Sequence, residues 1–298
     1  MEGIKFTVLS NYLYHIRKAS IDTYANGELD FRKLRQGILS QKKLTSVSRC
    51  SNIDMDNVRK TLHNCWLTEM NLHQEFYFDI NAVDIIYFLG WKIVQAYYVC
   101  FLSMRALYEL YLGSSRFSHN DLLNRFAQDN STFGFLYPFN VCYGKNGFNN
   151  LAVPIKKINP ISNRHNSSDY IALWCRTTFE EHQAEKWRNH KHPRKKWGKI
   201  CNVDCKDVSL LDCLYRLRKK HNYDSIDHLL SGVTEKEGLS FNISLSVITF
   251  AFLCMSEAIL WQLLSEAEAG HIINEYVDKT GGDISRQKFL KIRLEGIV

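Results

Sequence analysis

The chain has 298 residues, is 45% hydrophobic, 13% aromatic and 23% charged, and carries a formal net charge of +7. This length and apolar share suit one large or two modest domains with a sizeable core. They exclude a disordered, fibrous or low-complexity chain. The nine cysteines are odd in number and several sit in apolar runs, which suits reduced thiols in a cytoplasmic setting better than a disulfide framework. Met1 to Lys5 lacks a signal-peptide layout, so the sequons at Asn130, Asn166 and Asn242 read as accidental.

In chain order, a helix is expected near Thr7 to Asp22, followed by a polar segment, Gly27 to Ser51, with no clear periodicity. Asp54 or Asp56 can cap a helix reaching about Gln74, because Val58, Leu62, Cys65, Trp66 and Met70 recur at helical spacing. Asn81 or Asp84 can start a long apolar helix stopped by Gly113. Ser118 reads as the N-cap of a helix through about Gln128, with Asp121 in its first turn. All four prolines, Pro138, Pro154, Pro160 and Pro193, then fall in one stretch. Proline breaks helices, so a non-helical insertion is expected between two helical blocks. Loop chemistry stands at Gly144 to Gly147 and Asn163 to Ser168, with short β-like pieces at Leu151 to Val153 and Tyr170 to Trp174. The second helical block begins near Ser209 and reaches Tyr223. A short helix at Ser225 to Leu230, a long one from Ser240 to Ala269 and a terminal one over Ile284 to Leu294 follow. The apolar run from Ile243 to Leu264 is nearly long enough to cross a bilayer. Glu257 inside it and the lack of flanking belts favour a buried core helix, with no membrane partner.

These elements divide the chain into an N-terminal helical extension (1–80), a first part of a bundle (81–137), a basic insertion (138–205) and a second part with C-terminal helices (206–298). The charge is unevenly spread. Glu185 to Lys220 holds twelve basic residues against four acidic ones, enough to account for the whole surplus. Such a field points to an anionic partner, nucleic acid ahead of a membrane. Trp187, Trp197 and His190 interleave with its cations, as in stacking surfaces for single-stranded RNA. His190, His192, Cys201 and Cys205 form a His-x-His-x8-Cys-x3-Cys set of zinc-type donors as a weaker alternative. The spacing is unlike a standard finger, and no cofactor is otherwise expected. There is no phosphate-cradling glycine loop, nucleophilic serine elbow or two-metal carboxylate cluster.

The sharpest motif is Arg216-Leu217-Arg218-Lys219-Lys220-His221-Asn222-Tyr223. An imidazole can take or give a proton near neutral pH, and a guanidinium matches a phosphate. Arg176 and His182 form a competing Arg-x5-His pair, but Glu180 and Glu181 beside them would repel a phosphate. His119 reads as a helix-start hydrogen bonder, and Tyr97, Tyr98, Phe101 and Tyr108 as core.

The run Ala96-Tyr97-Tyr98 through Arg105-Ala106-Leu107-Tyr108, followed by Ser118-His119, resembles the second and third helices of the HEPN superfamily (higher eukaryotes and prokaryotes nucleotide-binding). Arg216 to Tyr223 is similar to that family's Arg-x4–6-His motif followed by x-Tyr. The resemblance covers about thirty residues in the family's order. It implies an all-α, HEPN-like helical bundle, dimeric, that cuts RNA without metal as a toxin or antiviral-defence effector, restrained by an antitoxin or a defence-system ATPase. Under it, Arg216 and His221 are the catalytic pair: His221 moves the proton of an attacking ribose 2′-hydroxyl or of the leaving oxygen, and Arg216 stabilises phosphoryl charge. Lys195, Lys196, Arg218, Lys219, Lys220, Asn222 and Tyr223 would hold the RNA. Two departures stand out: Leu217 where cutting members carry a polar residue, and some ninety residues between Ser118-His119 and Arg216. Leu217 favours the alternative, a non-catalytic HEPN-like module that binds RNA or protein. On a regular helix Arg216 and His221 lie about 140° apart. A shared site therefore needs a helix end or bend near His221, or a partner subunit's pair across a two-fold axis.

Overall fold

The computed structural model describes residues 6–24, 31–41, 44, 46–74, 82–113, 117–144, 146–148, 165–189, 206–223, 232–280, 290 and 293–294. At 23–24, 31, 82–83, 187–189 and 220–223 the description is of the backbone alone. Among these residues the chain forms α1 (Phe6–Tyr24), α2 (Phe31–Leu39), α3 (Met55–Leu72), α4 (Ala82–Leu112), α5 (His119–Asp129), β1 (Cys142–Gly144), β2 (Gly147–Phe148), α6 (Ser167–Asn189), β3 (Val208–Ser209), α7 (Leu210–Tyr223), α8 (Glu235–Leu263) and α9 (Glu266–Lys279).

The fold is mostly helical, as expected. Its spine is the pair α4 and α8, the two longest apolar helices. α3 and α7 pack on α4, α1 and α2 pack on α8, and α6 bridges α1 and α7. Local chemistry explains where several helices start. The Asp54 carboxylate accepts from Asn57 N–H at 3.2 Å and opens α3. Reciprocal capping boxes open α5 (Ser118 with Asp121), α8 (Thr234 with Glu237) and α9 (Ser265 with Glu268); each satisfies otherwise orphaned N–H groups. Gly113 ends α4 at φ +70°, a conformation open to glycine at no steric cost.

Three expectations are corrected. The insertion is not wholly non-helical: Tyr170 to Trp174 lies in α6, which fits between Pro160 and Pro193 without containing a proline. Tyr170, Ile171, Trp174 and Cys175 are buried at helical spacing, and the Trp174 ring stacks on Tyr12 at 5.4 Å. The small sheet lies elsewhere, in the order β2-β1-β3 with both pairings antiparallel; Gly144 pairs with Gly147 where β1 and β2 meet. The helix expected from Ser240 to Ala269 is two helices, α8 and α9. The break falls where Ser265 caps Glu268, whose carboxylate is also held by Arg49 at 2.7 and 2.8 Å. The polar segment after Gly27 contains α2. Ser225 to Leu230, Leu151 to Val153 and most of Ile284 to Leu294 lie outside the described residues.

α4 and α8 are both long and apolar enough to cross a membrane, but 89% of the α8 window is buried inside the fold, the position of a core helix. Glu257 within it accepts from Trp66 Nε1 at 2.9 Å and from Arg293 Nε at 2.7 Å. The same guanidinium pairs with Glu69 on α3, and all three side chains are sealed from solvent. The seven described cysteines are free thiols.

Candidate functional site

α7 follows β3 directly. Ser209 N–H and Oγ both donate to the Asp212 carboxylate at 2.8 Å, closing the first turn. Burial pushes the Asp212 carboxyl up to about 7, against the pull of those hydrogen bonds. Leu211, Cys213, Leu214 and Leu217 are buried. The residue after Arg216 thus serves the core, where burying a leucine contributes about 1.5–3 kcal/mol.

Positions two apart on a helix face nearly opposite sides, and α7 lies between α6 and α4. Arg216 turns toward α6. Its Nε donates to the Glu181 carboxylate, its Nη2 lies 3.4 Å from Glu185, and the side chain is 11% exposed. Two carboxylates around one guanidinium leave a local excess of negative charge, which disfavours a second anion there. His182 shares this seam; burial, and then the charge of Arg216, lowers its pKa. The competing Arg-x5-His pair does not assemble, because Arg176 is held by Glu180 at 2.7 Å along α6.

Arg218 turns the other way. Its Nη2 donates to the Tyr98 hydroxyl at 2.9 Å, and its guanidinium carbon lies 4.9, 5.6 and 5.8 Å from the ring centres of Tyr98, Tyr97 and Tyr215. Its Nε is enclosed without a hydrogen-bond partner. Among the described residues no carboxylate pairs with it. His119, the first residue of α5, stacks on Tyr215 at 5.5 Å and lies 2.7 Å through Nδ1 from the Tyr97 hydroxyl. Burial lowers the His119 pKa and the Arg218 charge adds to the effect, both favouring the neutral ring. Burial raises the Tyr97 phenol well above its ordinary range. Lys219 Nζ stands 5.9 Å from the Tyr215 ring centre.

The expected site residues therefore fall into three groups. Arg216 is in the α6 seam, and Arg218 and Lys219 are on the aromatic side. Lys220, His221, Asn222 and Tyr223 form the last turn of α7, with side chains outside the described residues. Lys195, Lys196, His190, His192, Cys201 and Cys205 lie outside them altogether. α7 continues two residues beyond His221, so no helix end falls at the histidine itself. Sequence reasoning missed Glu185 and the joining of His119 to Arg218. A usable signal was present for the first: Glu181 and Glu185 are four apart, on one helix face beside a stretch rich in cations. A cavity of about 250 Å³ at another junction, between α2, α8 and α9, is lined by Arg35, Trp261, Ser265 and Glu266 among others and does not touch these groups. The chain matches no family model, no curated protein and no solved structure.

Proposed function

We propose that this chain is a HEPN-type helical module that binds single-stranded RNA through α7 and the elements packed on its aromatic side. The observation that carries the reading is a convergence. Tyr97-Tyr98 on α4, His119 at the start of α5 and Tyr215-Arg218 on α7 meet at one junction. That junction offers the half-buried Tyr98 and Tyr215 rings together with a cation that no carboxylate neutralises among the described residues, the pairing that suits an unstacked, negatively charged strand. Full-length protein titrated with labelled single-stranded RNA in EDTA should show saturable binding that weakens as salt rises. Absence of binding at low salt contradicts the reading.

A second reading is a metal-independent endoribonuclease, a dimeric toxin or antiviral effector answerable to an antitoxin or an ATPase. What favours it is that both motif residues lie on α7 with Arg216 still 11% exposed at its seam; because that helix is unbroken, the two would meet only across a two-fold axis with a partner subunit's pair. His221 would activate the 2′-hydroxyl or protonate the leaving oxygen, and Arg216 would stabilise the charge that builds on the phosphoryl oxygens. Cleavage by the parent in EDTA, lost in both His221→Ala and Arg216→Ala, supports this reading. Intact RNA with all three proteins eliminates it and leaves the binding module.

A further inference from the structure

The geometry points to a phosphate seat at the junction of α4, α5 and α7, built from Arg218, His119 and the Tyr98 hydroxyl, which takes a backbone phosphodiester of single-stranded RNA. This rests on the RNA-binding reading and names the group that the site grips.

Proton placement carries the argument. Tyr97 is fully buried, and its hydroxyl has one hydrogen-bond partner among the described residues, Nδ1 of His119. Were Nδ1–H the donor, the buried phenolic proton would be stranded, a cost that buried polar groups avoid. The arrangement that satisfies both groups has the Tyr97 O–H donating to Nδ1, which puts the proton of the neutral imidazole on Nε2. No bond engages that Nε2 among the described residues. The Tyr98 oxygen accepts from Arg218, so its own hydrogen remains to donate. Arg218 contributes the N–H groups of its two terminal nitrogens that the Tyr98 hydroxyl does not engage, while its Nε is enclosed. His119 and Arg218 both pack on the Tyr98 ring, at 5.9 and 4.9 Å from its centre. The cluster therefore gathers donors from three side chains around a full positive charge, and no carboxylate accepts from any of them among the described residues. Such a set favours an anion, and the planar guanidinium favours a phosphate oxygen pair. The half-buried Tyr98 and Tyr215 rings beside it supply the faces on which a flanking base can stack, while Tyr97 lies beneath them in the core. The Arg216 seam, with two carboxylates, offers no equivalent.

The test uses the full chain labelled in its histidine rings, with short single-stranded oligouridine and inorganic phosphate as probes. Arg218→Gln, His119→Gln and Tyr98→Phe are compared with Lys60→Gln, which removes an exposed positive charge on α3. Arg218→Gln should weaken RNA binding roughly tenfold or more and reduce the logarithmic salt slope by about 0.7. Lys60→Gln should bind like the parent. Parental binding by Arg218→Gln overturns the seat and leaves RNA binding by another surface. If Arg218→Gln fails to fold, weaker binding by Tyr98→Phe or His119→Gln supports the seat, and parental binding by both overturns it. If the parent binds no RNA, the functional reading fails and phosphate decides separately. A phosphate-dependent shift of the His119 ring signal in the parent, absent in Arg218→Gln, keeps the seat; no shift in the parent removes it.

Discussion

Arg216 and Arg218 are the same residue type two positions apart, yet they meet opposite surroundings. One sits among carboxylates in the seam with α6, and the other sits among tyrosine rings beside α4 and α5. Coulomb's law makes the consequence directional: an approaching phosphate is opposed at the first and attracted at the second. Glu181 and Glu185 hold the position that a phosphate would take on Arg216. Replacing both with glutamine should raise RNA affinity several-fold and steepen the salt slope by about 0.7 as Arg216 becomes available. Fluorescence anisotropy at two salt concentrations reads this, and an unchanged slope means that Arg216 serves only to join α6 and α7. If the ribonuclease reading holds, the same double variant should also cut faster. The near-opposite phase of the two arginines was legible from helix geometry alone. Their partners were not, because Glu181 and Glu185 lie more than thirty positions away and only the packing of α6 on α7 brings them in.

At the scale of elements, the capping residues decided what could be read. Asp54, Ser118 and Gly113 marked boundaries of α3, α5 and α4 within a residue or two, since each satisfies orphaned backbone groups by its own local chemistry. The break between α8 and α9 escaped because good helix formers, Glu266 to Ala269, continue across it, and the Ser265–Glu268 box is a signal only once weighed against them. α6 escaped because the prolines on either side dominated the segment. The first turn of α7 gives a pH test. Asp212 has its folded pKa raised by burial, from an ordinary 3.8 to about 7. The folded state then holds more protons than the unfolded one between those values, so this group's contribution to stability falls as pH rises through the window. His73 works in the opposite sense: burial, then the charges of Lys92 and Arg293, lower its pKa to about 3, so its contribution falls as pH drops below about 6.5. Asp212→Asn should gain stability relative to the parent as pH rises from about 4 to 7, by a kcal/mol or more at the upper end. Urea midpoints of the two proteins across that range check the sign; a constant difference contradicts a titrating Asp212.

For the whole molecule, the α4–α8 spine makes one core out of elements that the sequence divided by its prolines. The C-terminal segment is tied into that core by Arg293, which joins Glu69 of α3 to Glu257 of α8 with no solvent contact. Removing one member of a buried ion group leaves uncompensated charge. Arg293→Met should therefore cost about 3–5 kcal/mol in a denaturant titration, and a loss under about 1 kcal/mol would mean that the two glutamates are accommodated without it. This triad was beyond reach in the sequence, where Glu257 stood out as one charge in an apolar run but nothing identified its partner. The mainly helical architecture was legible because composition, proline placement and apolar spacing agree.

The most direct test of the account is a titration of metal-free, full-length protein with labelled single-stranded RNA at low and moderate salt, followed by a denaturing gel of the same samples. The account predicts saturable binding that weakens with salt and RNA recovered intact. No binding at low salt would contradict it, and shortened RNA that persists in EDTA and disappears with His221→Ala would replace the binding module with the nuclease.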